Sequence, residues 1–266
     1  MTSIQSDLVT IRNKKGFICD MDGVIYHGDK LLNGVPQFID WLKKENKAFL
    51  FLTNSSERTP RELHEKLLRL GLDVDERHFF TSAMATAQFL ASQKPNGSAY
   101  IIGEAGLINA MYQVGYTMNN VNPDYVVMGE TRSYNIERIE KAINLVLKGA
   151  KLIGTNPDVT GPTENGIVPA TKALIAPIEM ATGRNAYFVG KPNPIIMRHA
   201  LKMLNVQRED TIIIGDRMDT DIVAGIESMI DTCLVLSGIS TVESMNTFPY
   251  CPHYVFNDVG DLIKDI

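Results

Sequence analysis

Short apolar runs alternate with amphipathic segments along most of the chain. Four runs are nearly continuous and end in polar or charged residues, at positions 16–19, 48–52, 186–190 and 211–215. Uninterrupted apolar runs of this length are typical of parallel strands that are buried on both faces. The segments between them have helical periodicity, so the alternation predicts parallel sheets with crossover helices.

Helix end signals place one helix with particular clarity. Thr59 is an N-cap, Pro60 occupies the first helical position and Glu62 closes a capping box, while Gly71 is a natural stop. Periodicity predicts further helices near 34–45, 83–93, 105–114, 135–148, 170–182, 194–205, 219–228 and 258–265. Additional strands are predicted near 98–103, 124–129 and 151–153.

Chemically active side chains follow the four apolar runs. In open α/β sheets the carboxyl ends of the strands are where ligands bind. Two carboxylates two residues apart near a strand end point the same way, and their repulsion requires a cation or a shared proton. This favours a metal, a nucleophile beside an acid, or both. In chain order the runs end in Asp20 and Asp22, Thr53 and Asn54, Lys191, and Asp216 followed by Asp221.

Composition narrows the function classes. The chain has 266 residues, 44% of them hydrophobic, and a net charge of −5, which argues against a surface that coats nucleic acid or binds anionic membranes. Three cysteines are too few for a disulfide framework or a zinc site, and Cys19 and Cys233 are predicted core residues. No secretion signal or membrane-length apolar stretch is found, which favours the cytoplasm. Whether the chain forms a homo-oligomer is left open.

The motif series resembles the haloacid dehalogenase superfamily of aspartate-nucleophile phosphatases. Asp20-x-Asp22, Thr53, Lys191, and Gly215-Asp216 with Asp221 match its four motifs in order. The segments 81–87, 129–133 and 155–158 resemble the NagD-type branch. The resemblance implies an α/β fold with a Rossmann-like parallel-sheet core, residues 1–82 and 186–266, and an inserted α/β cap domain, residues 83–185.

The resemblance also implies roles for the acidic residues. Asp20 is the expected nucleophile, which forms an aspartyl-phosphate, and Asp22 is the expected general acid and base. Mg²⁺ is the expected cofactor, held by Asp20, Asp216 and Asp221 and by the backbone carbonyl of Asp22.

A second group of residues is expected to bind the phosphoryl group. Thr53 and Asn54 would donate hydrogen bonds to it, and Lys191 would supply a positive charge. Arg217 and Thr220, in the loop after the fourth motif, would line the phosphate pocket through their backbones.

The expected activity is hydrolysis of small phosphorylated metabolites. Nucleoside 5′-monophosphates are the first expected substrates, and acid-sugar or other sugar phosphates are the alternative. Phosphotransfer, as in a mutase, and non-catalytic binding of a phosphometabolite are weaker alternatives. Cap residues 155–158 and 162–172 are candidate substrate contacts, and Lys172, where related caps tend to carry glycine, favours a second anionic group if it faces the site.

Overall fold

The protein is described from a computed structural model that covers residues 3–163 and 166–264. These residues form two compact units. The first consists of residues 3–53, 64–79 and 197–264, and the second of residues 54–63, 80–163 and 166–196. The predicted division into a core, 1–82 with 186–266, and an inserted domain, 83–185, stays a prediction.

Helices and strands alternate through most of the chain. The α-helices are α1 (Ser3–Asn13), α2 (Val35–Lys44), α3 (Pro60–Arg69), α4 (Ser82–Gln93), α5 (Ala105–Gln113), α6 (Ile136–Leu147), α7 (Thr171–Thr182), α8 (Pro194–Leu204), α9 (Val223–Glu227) and α10 (Val242–Met245). Short 3₁₀ helices cover Glu76–His78, Arg208–Asp210 and Val259–Ile263, and a π-helical turn covers Met218–Ile222.

The strands are β1 (Gly16–Cys19), β2 (Tyr26–His27), β3 (Lys30–Leu31), β4 (Ala48–Thr53), β5 (Phe79–Thr81), β6 (Ser98–Ile102), β7 (Thr117–Met118), β8 (Tyr125–Met128), β9 (Lys151–Gly154), β10 (Thr160–Thr163), β11 (Gly166–Pro169), β12 (Tyr187–Phe188), β13 (Thr211–Gly215), β14 (Asp231–Val235) and β15 (Tyr254–Phe256).

The first unit is built on a sheet of order β15-β14-β13-β1-β4-β5, in which Phe79 is the one residue of β5 that belongs to this unit. Strand β1 lies between β13 and β4 and runs parallel to both, with Cys19 paired to Ile214 and to Phe51. Every residue of β1 and β13 is buried. The predicted α/β fold with buried parallel strands is therefore confirmed, and Cys19 and Cys233 lie in the core as predicted.

The second unit is built on a five-stranded parallel sheet of order β12-β9-β8-β6-β7. Helices α6 and α7 pack on it through a core that includes Ile139, Val146 and Ile175. The three additional strands predicted from the sequence, β6, β8 and β9, are confirmed in this sheet.

The third apolar run differs from its prediction. Residues 186–190 were expected to form a strand buried on both faces, but only Tyr187 and Phe188 form β12, and Tyr187 is 44% exposed. Tyr187 is exposed because β12 is an edge strand, which pairs with β9 on one side of the described sheet. The ring of Tyr187 packs on Phe89 at a centroid distance of 5.3 Å.

The predicted helix signals act as expected. The Thr59 N–H and Oγ1 donate to Glu62 Oε2 at 2.7 and 2.8 Å, and the Glu62 N–H donates back to Thr59 Oγ1 at 3.2 Å. Gly71 follows α3 with φ +88°, in the left-handed region that glycine adopts most easily. The helix predicted at 258–265 is a shorter 3₁₀ helix ending at Ile263, and residue 265 lies outside the described residues. Among residues 3–163 and 166–264, no helix has both the length and the apolar character needed to span a bilayer.

Candidate active site

Three carboxylates converge at the carboxyl ends of two neighbouring strands in the first unit. Asp20 directly follows β1 and Asp216 directly follows β13, and the Asp20 N–H donates to the Ile214 carbonyl at 2.8 Å. Asp221 lies in the π-helical turn just after β13. One side-chain oxygen from each of the three aspartates lies within 4.8 Å of the other two. The structure therefore brings together the three side chains predicted to hold a metal.

Burial strengthens the electrostatic repulsion among these three carboxylates. Asp216 and Asp221 are 2% and 0% exposed, and Asp20 is half-buried. Carboxylates removed from water repel each other strongly unless positive charge is added. Hard carboxylate oxygens are the ligands that Mg²⁺ prefers, so the donor set fits the predicted cofactor.

Glycines make room for the cluster. A Cβ added to Gly23, whose φ is +79°, would lie 2.5 Å from Asp216 Oδ2, and one added to Gly238 would lie 2.0 Å from the same atom. A Cβ added to Gly215 would lie 2.1 Å from the Cβ of Asp221. Any side chain at these positions would displace a carboxylate, so the backbone itself forms the wall around them.

A loop after β14 also holds Asp216. The Ile239 N–H donates to Asp216 Oδ2 at 2.7 Å, and the Ser240 N–H donates to the Asp216 carbonyl at 3.0 Å. The Ser237 hydroxyl donates to the Gly23 carbonyl at 2.7 Å, which ties this loop to the one after β1. The sequence reasoning missed this loop. The Ser237-Gly238 pair after an apolar run was the signal that could have found it.

Asp22 lies in the tight turn that follows β1. The Met21 carbonyl accepts hydrogen bonds from the Ile25 and Tyr26 N–H groups at 2.8 and 3.2 Å, which closes the turn. The Asp22 side chain is 53% exposed and its Oδ1 lies 3.8 Å from His27 Nδ1. Within the part of the chain that the structure describes, its carboxylate is not a member of the three-aspartate cluster.

Of the two residues predicted after Asp216, Arg217 forms an ion pair and Thr220 is buried. The Arg217 guanidinium binds Asp219 in a bidentate ion pair, with Nε and Nη2 at 3.0 and 2.8 Å from the carboxylate oxygens. The Arg217 N–H donates to Asp221 Oδ2 at 3.2 Å, and Thr220 is 5% exposed. The backbone contacts of Arg217 and Thr220 with phosphate stay a prediction.

The remaining predicted residues fall on both units. Thr53 ends β4 of the first unit, whereas Asn54 and Lys191 belong to the second, where they contact each other. Asn54 Oδ1 accepts from the Lys191 N–H at 2.8 Å, and Asn54 Nδ2 donates to the Lys191 carbonyl at 3.0 Å and to Asp158 Oδ2 at 2.9 Å. The Asn54 side chain thus has Lys191 and Asp158 as partners, and its predicted contact with a phosphoryl group stays a prediction.

A polar network surrounds Asn54. Asn156 Nδ2 donates to the Asn54 carbonyl at 2.7 Å and to Glu130 Oε1 at 2.6 Å. Glu130 Oε2 accepts from the Ser56 N–H at 3.1 Å and also contacts the Ser56 hydroxyl. Removal of water from its carboxyl group raises the pKa of Glu130, and hydrogen bonds from Ser56 and Asn156 oppose this shift.

Two of the expected substrate contacts lie in this network. Thr155 and Asn156 are fully buried, and the Thr155 hydroxyl lies 3.2 Å from Ser56 Oγ and 3.1 Å from Thr171 Oγ1. Other protein groups surround these two side chains, and contact of residues 155–158 with substrate stays a prediction.

The other expected contact segment has exposed and buried described residues, with Ala170 and Thr171 buried. Residues 162–172 include most of the β10–β11 hairpin, in which Ile167 is 73% exposed. Lys172 is exposed at the start of α7, and residues 164 and 165 lie outside the described residues.

Comparison with known proteins agrees with this arrangement. A family model described as haloacid dehalogenase-like hydrolase matches residues 17–117, and a second, HAD-hydrolase-like model matches residues 188–262. The chain is 46% identical to the dihydroxyacetone phosphatase of Corynebacterium glutamicum strain R over 92% of this chain and 90% of that one. It is 40% identical to the ribonucleotide monophosphatase NagD of Escherichia coli K12, over 93% and 98% of the two chains. This chain belongs to the haloacid dehalogenase superfamily, in its NagD-type branch.

Further matches extend over more than nine-tenths of this chain. An acid sugar phosphatase of Staphylococcus saprophyticus is 37% identical over 96% of this chain and 99% of its own. The solved structure of NagD from E. coli K-12 matches with a TM-score of 0.88, over 93% of this chain and 98% of that one. A glycerol phosphate phosphatase from Mycobacterium tuberculosis, solved in complex with magnesium, matches with a TM-score of 0.90 at 27% identity, over 96% and 78% of the chains. The chain is accordingly a phosphoric monoester hydrolase.

Proposed function

We propose that this phosphatase hydrolyses small phosphomonoesters with Mg²⁺ as cofactor, through an aspartyl-phosphate on Asp20. The observation that carries the proposal is the convergence of Asp20, Asp216 and Asp221 within 4.8 Å at the carboxyl ends of β1 and β13. Asp20, Asp216 and Asp221 would hold the metal together with the backbone carbonyl of Asp22. When bound, the ion supplies positive charge that offsets repulsion between a carboxylate and a phosphate dianion.

The two steps follow from the roles of Asp20 and Asp22. An Asp20 oxygen attacks phosphorus, the bond from phosphorus to the ester oxygen breaks, and Asp22 gives its proton to the departing alkoxide. In the second step Asp22 takes a proton from a water molecule, whose oxygen attacks phosphorus and displaces Asp20. Inorganic phosphate leaves and both carboxyl groups return to their starting states. The half-exposed position of Asp22 suits a group that meets both an alcohol and water.

Lys191 and Thr53 complete the proposed binding of the phosphoryl group. Lys191 is 2% exposed and directly follows the Gly190 turn, so its ammonium group has little access to bulk water. A desolvated ammonium group stabilises negative charge on phosphoryl oxygens more strongly than a solvated one.

Two substrate classes are supported by different observations. Nucleoside 5′-monophosphates are proposed first, from the NagD-type resemblance and the E. coli relative named for ribonucleotides. Triose and sugar phosphates are the second candidate. The C. glutamicum relative, with 46% identity, is named for dihydroxyacetone phosphate, and a staphylococcal relative is named for acid sugars.

The test is phosphate release from a panel of nucleoside 5′-monophosphates, dihydroxyacetone phosphate, and acid-sugar and other sugar phosphates, with Mg²⁺ and with excess EDTA. Asp20→Asn keeps the side-chain shape but removes the attacking charge, so turnover should fall by at least about three orders of magnitude. Asp40→Asn, an exposed aspartate of α2, is the matched control. Full activity in EDTA, or an Asp20→Asn enzyme close to wild type, contradicts the mechanism.

The same panel run on Lys172→Gly tests the contribution of this exposed lysine to substrate choice. A change in the order of preference between nucleotide and acid-sugar phosphates assigns a selective role to Lys172, and an unchanged order removes it.

A further inference from the structure

The side-chain amide of Asn54 contacts both backbone groups of a single residue, Lys191. Its Oδ1 accepts from the Lys191 N–H at 2.8 Å while its Nδ2 donates to the Lys191 carbonyl at 3.0 Å. The orientation of the amide is determined by its partners. A backbone N–H can only donate, and a backbone carbonyl and the Asp158 carboxylate can only accept. Two bonds of opposite sense hold the Lys191 backbone in both position and direction.

The backbone of Asn54 is itself fixed by hydrogen bonds. Its carbonyl accepts from the Ser82 hydroxyl at 2.5 Å and from Asn156 Nδ2 at 2.7 Å. Asn156 is completely buried, donates its second amide hydrogen to Glu130, and accepts from the Asp158 N–H at 3.1 Å. The two asparagines and Asp158 therefore form a closed set of hydrogen bonds in which each group fixes another.

The chain around Lys191 leaves little room for movement. The Gly190 N–H donates to the Thr155 carbonyl at 2.7 Å, and a Cβ at Gly190 would lie 2.8 Å from Asn54 Oδ1. On the other side, Asn193 Nδ2 donates to the Phe188 carbonyl at 2.7 Å and the Asn193 N–H to the Gly190 carbonyl at 3.0 Å. Asn193 thus closes the segment 188–193 on itself, and the Gly190 N–H attaches this segment to Thr155 in the rest of the second unit.

We infer that Asn54 is a positioning residue that acts through Lys191, and that Asn156 and Glu130 support it in this role. The inference rests on the proposed function, in which the Lys191 ammonium group contacts the phosphoryl group. An ammonium group is a compact charge on a flexible stem, so its effect depends on where the backbone anchors that stem. Asn54 provides this anchor and Asn156 holds Asn54 in place.

A double-mutant cycle distinguishes positioning from direct substrate contact and from a general structural role. Asn54→Ala, Lys191→Ala and the double variant are assayed for kcat and KM on the best substrate of the panel. Misplacement of a catalytic group by about 1 Å costs on the order of 100-fold, so Asn54→Ala should lower kcat/KM by about 100-fold in the wild-type background. In the Lys191→Ala background, where no ammonium group remains to be positioned, the loss should be less than about 3-fold. Equal losses in the two backgrounds overturn the inference.

Controls separate folding from function. Asn144→Ala, an exposed asparagine of α6 whose amide donates to the Glu140 carbonyl at 2.8 Å, should leave kcat/KM unchanged. If Asn54→Ala does not fold, Asn156→Ala, one step further from Lys191, replaces it in the cycle. If the Lys191→Ala enzyme turns over too slowly, the cycle is read from the dissociation constant of inorganic phosphate, measured by calorimetry in Mg²⁺. A wild-type protein that releases no phosphate from any ester refutes the proposed function, whereas an active wild type with multiplicative losses refutes only this inference.

Discussion

Replacing Asp221 by asparagine tests the three-carboxylate cluster through stability rather than activity. At 4.8 Å, the limit within which the three oxygens lie, two full charges repel by about 3.5 kcal/mol at an effective dielectric constant of about 20, and by about 0.9 kcal/mol in water. Asp221 takes part in two of the three pairs. Its neutralisation therefore relieves between about 2 and 7 kcal/mol when no cation is present. Because Asp20 is partly exposed, we expect the lower value, about 2 kcal/mol.

The expected change in melting temperature follows from this energy. In EDTA, a gain of about 2 kcal/mol corresponds to a Tm that is higher by about 4–8 °C for Asp221→Asn than for the wild type. The asparagine keeps one oxygen that can accept the Arg217 N–H, now at 3.2 Å from Asp221 Oδ2, so this hydrogen bond is retained. In saturating Mg²⁺ the order should invert, because the wild type binds the ion more tightly and gains more stability from it.

Thermal unfolding of both proteins, followed by circular dichroism in EDTA and in Mg²⁺, measures this inversion. Asp219→Asn is the matched control, since Asp219 is in the same π-helical turn but is 54% exposed and paired with Arg217. Its Tm should respond to Mg²⁺ as the wild type does. An Asp221→Asn protein that is less stable than wild type in EDTA, or equally stabilised by Mg²⁺, would refute the electrostatic reasoning.

Two further predictions concern the surroundings of the site and the network in the second unit. Gly238→Ala should weaken Mg²⁺ binding by at least about 10-fold in a calorimetric titration, because the new Cβ would lie 2.0 Å from Asp216 Oδ2; a carboxylate shift of even about 1 Å misplaces a metal ligand. Gly161→Ala, whose Cβ would meet only a Val168 methyl at 3.8 Å, should leave binding unchanged, and equal effects of the two substitutions would contradict the argument. Burial raises the pKa of Glu130, so the folded protein binds the proton of this carboxyl group more tightly than the unfolded chain does. The contribution of protonated Glu130 to the free energy of unfolding is therefore lost as pH rises above the ordinary glutamate range. The Tm of Glu130→Gln relative to wild type should therefore increase with pH from about 4.5 to 7, and parallel Tm curves for the two proteins would rule this out.

The strands of the first sheet and the order of the chemical motifs could be predicted from the sequence alone. The runs 16–19 and 211–215 are almost wholly apolar, a pattern that only strands buried on both faces require. Because parallel strands end at the same sheet edge, the aspartates that follow them were predicted to meet, and the structure confirms that Asp20, Asp216 and Asp221 do.

Local patterns were less informative where the contacts are distant in sequence. The run at 186–190 resembles the others, yet it forms a two-residue edge strand, because a sequence pattern does not reveal on how many sides a strand has neighbours. The need for glycine at position 238 was equally hard to predict, because the group that a side chain there would displace is Asp216, 22 residues earlier in the chain. The Asp216 carbonyl also accepts a hydrogen bond from the Ser240 N–H.

The amino-acid order was sufficient for the α/β class and, through the family resemblance of its motifs, for the phosphatase activity. It also predicted that Asp20, Asp216 and Asp221 meet, because two of them directly follow neighbouring parallel strands. Their binding of a metal stays a prediction. The use of the Asn54 side chain depended on folding. Its partners, Lys191 and Asp158, lie 137 and 104 residues further along the sequence. Hydrogen bonds with orientation-dependent donors and acceptors are formed only when separate segments pack together. The hydrogen bonds of the Asn54 side chain to the Lys191 backbone could therefore be found only in the folded chain.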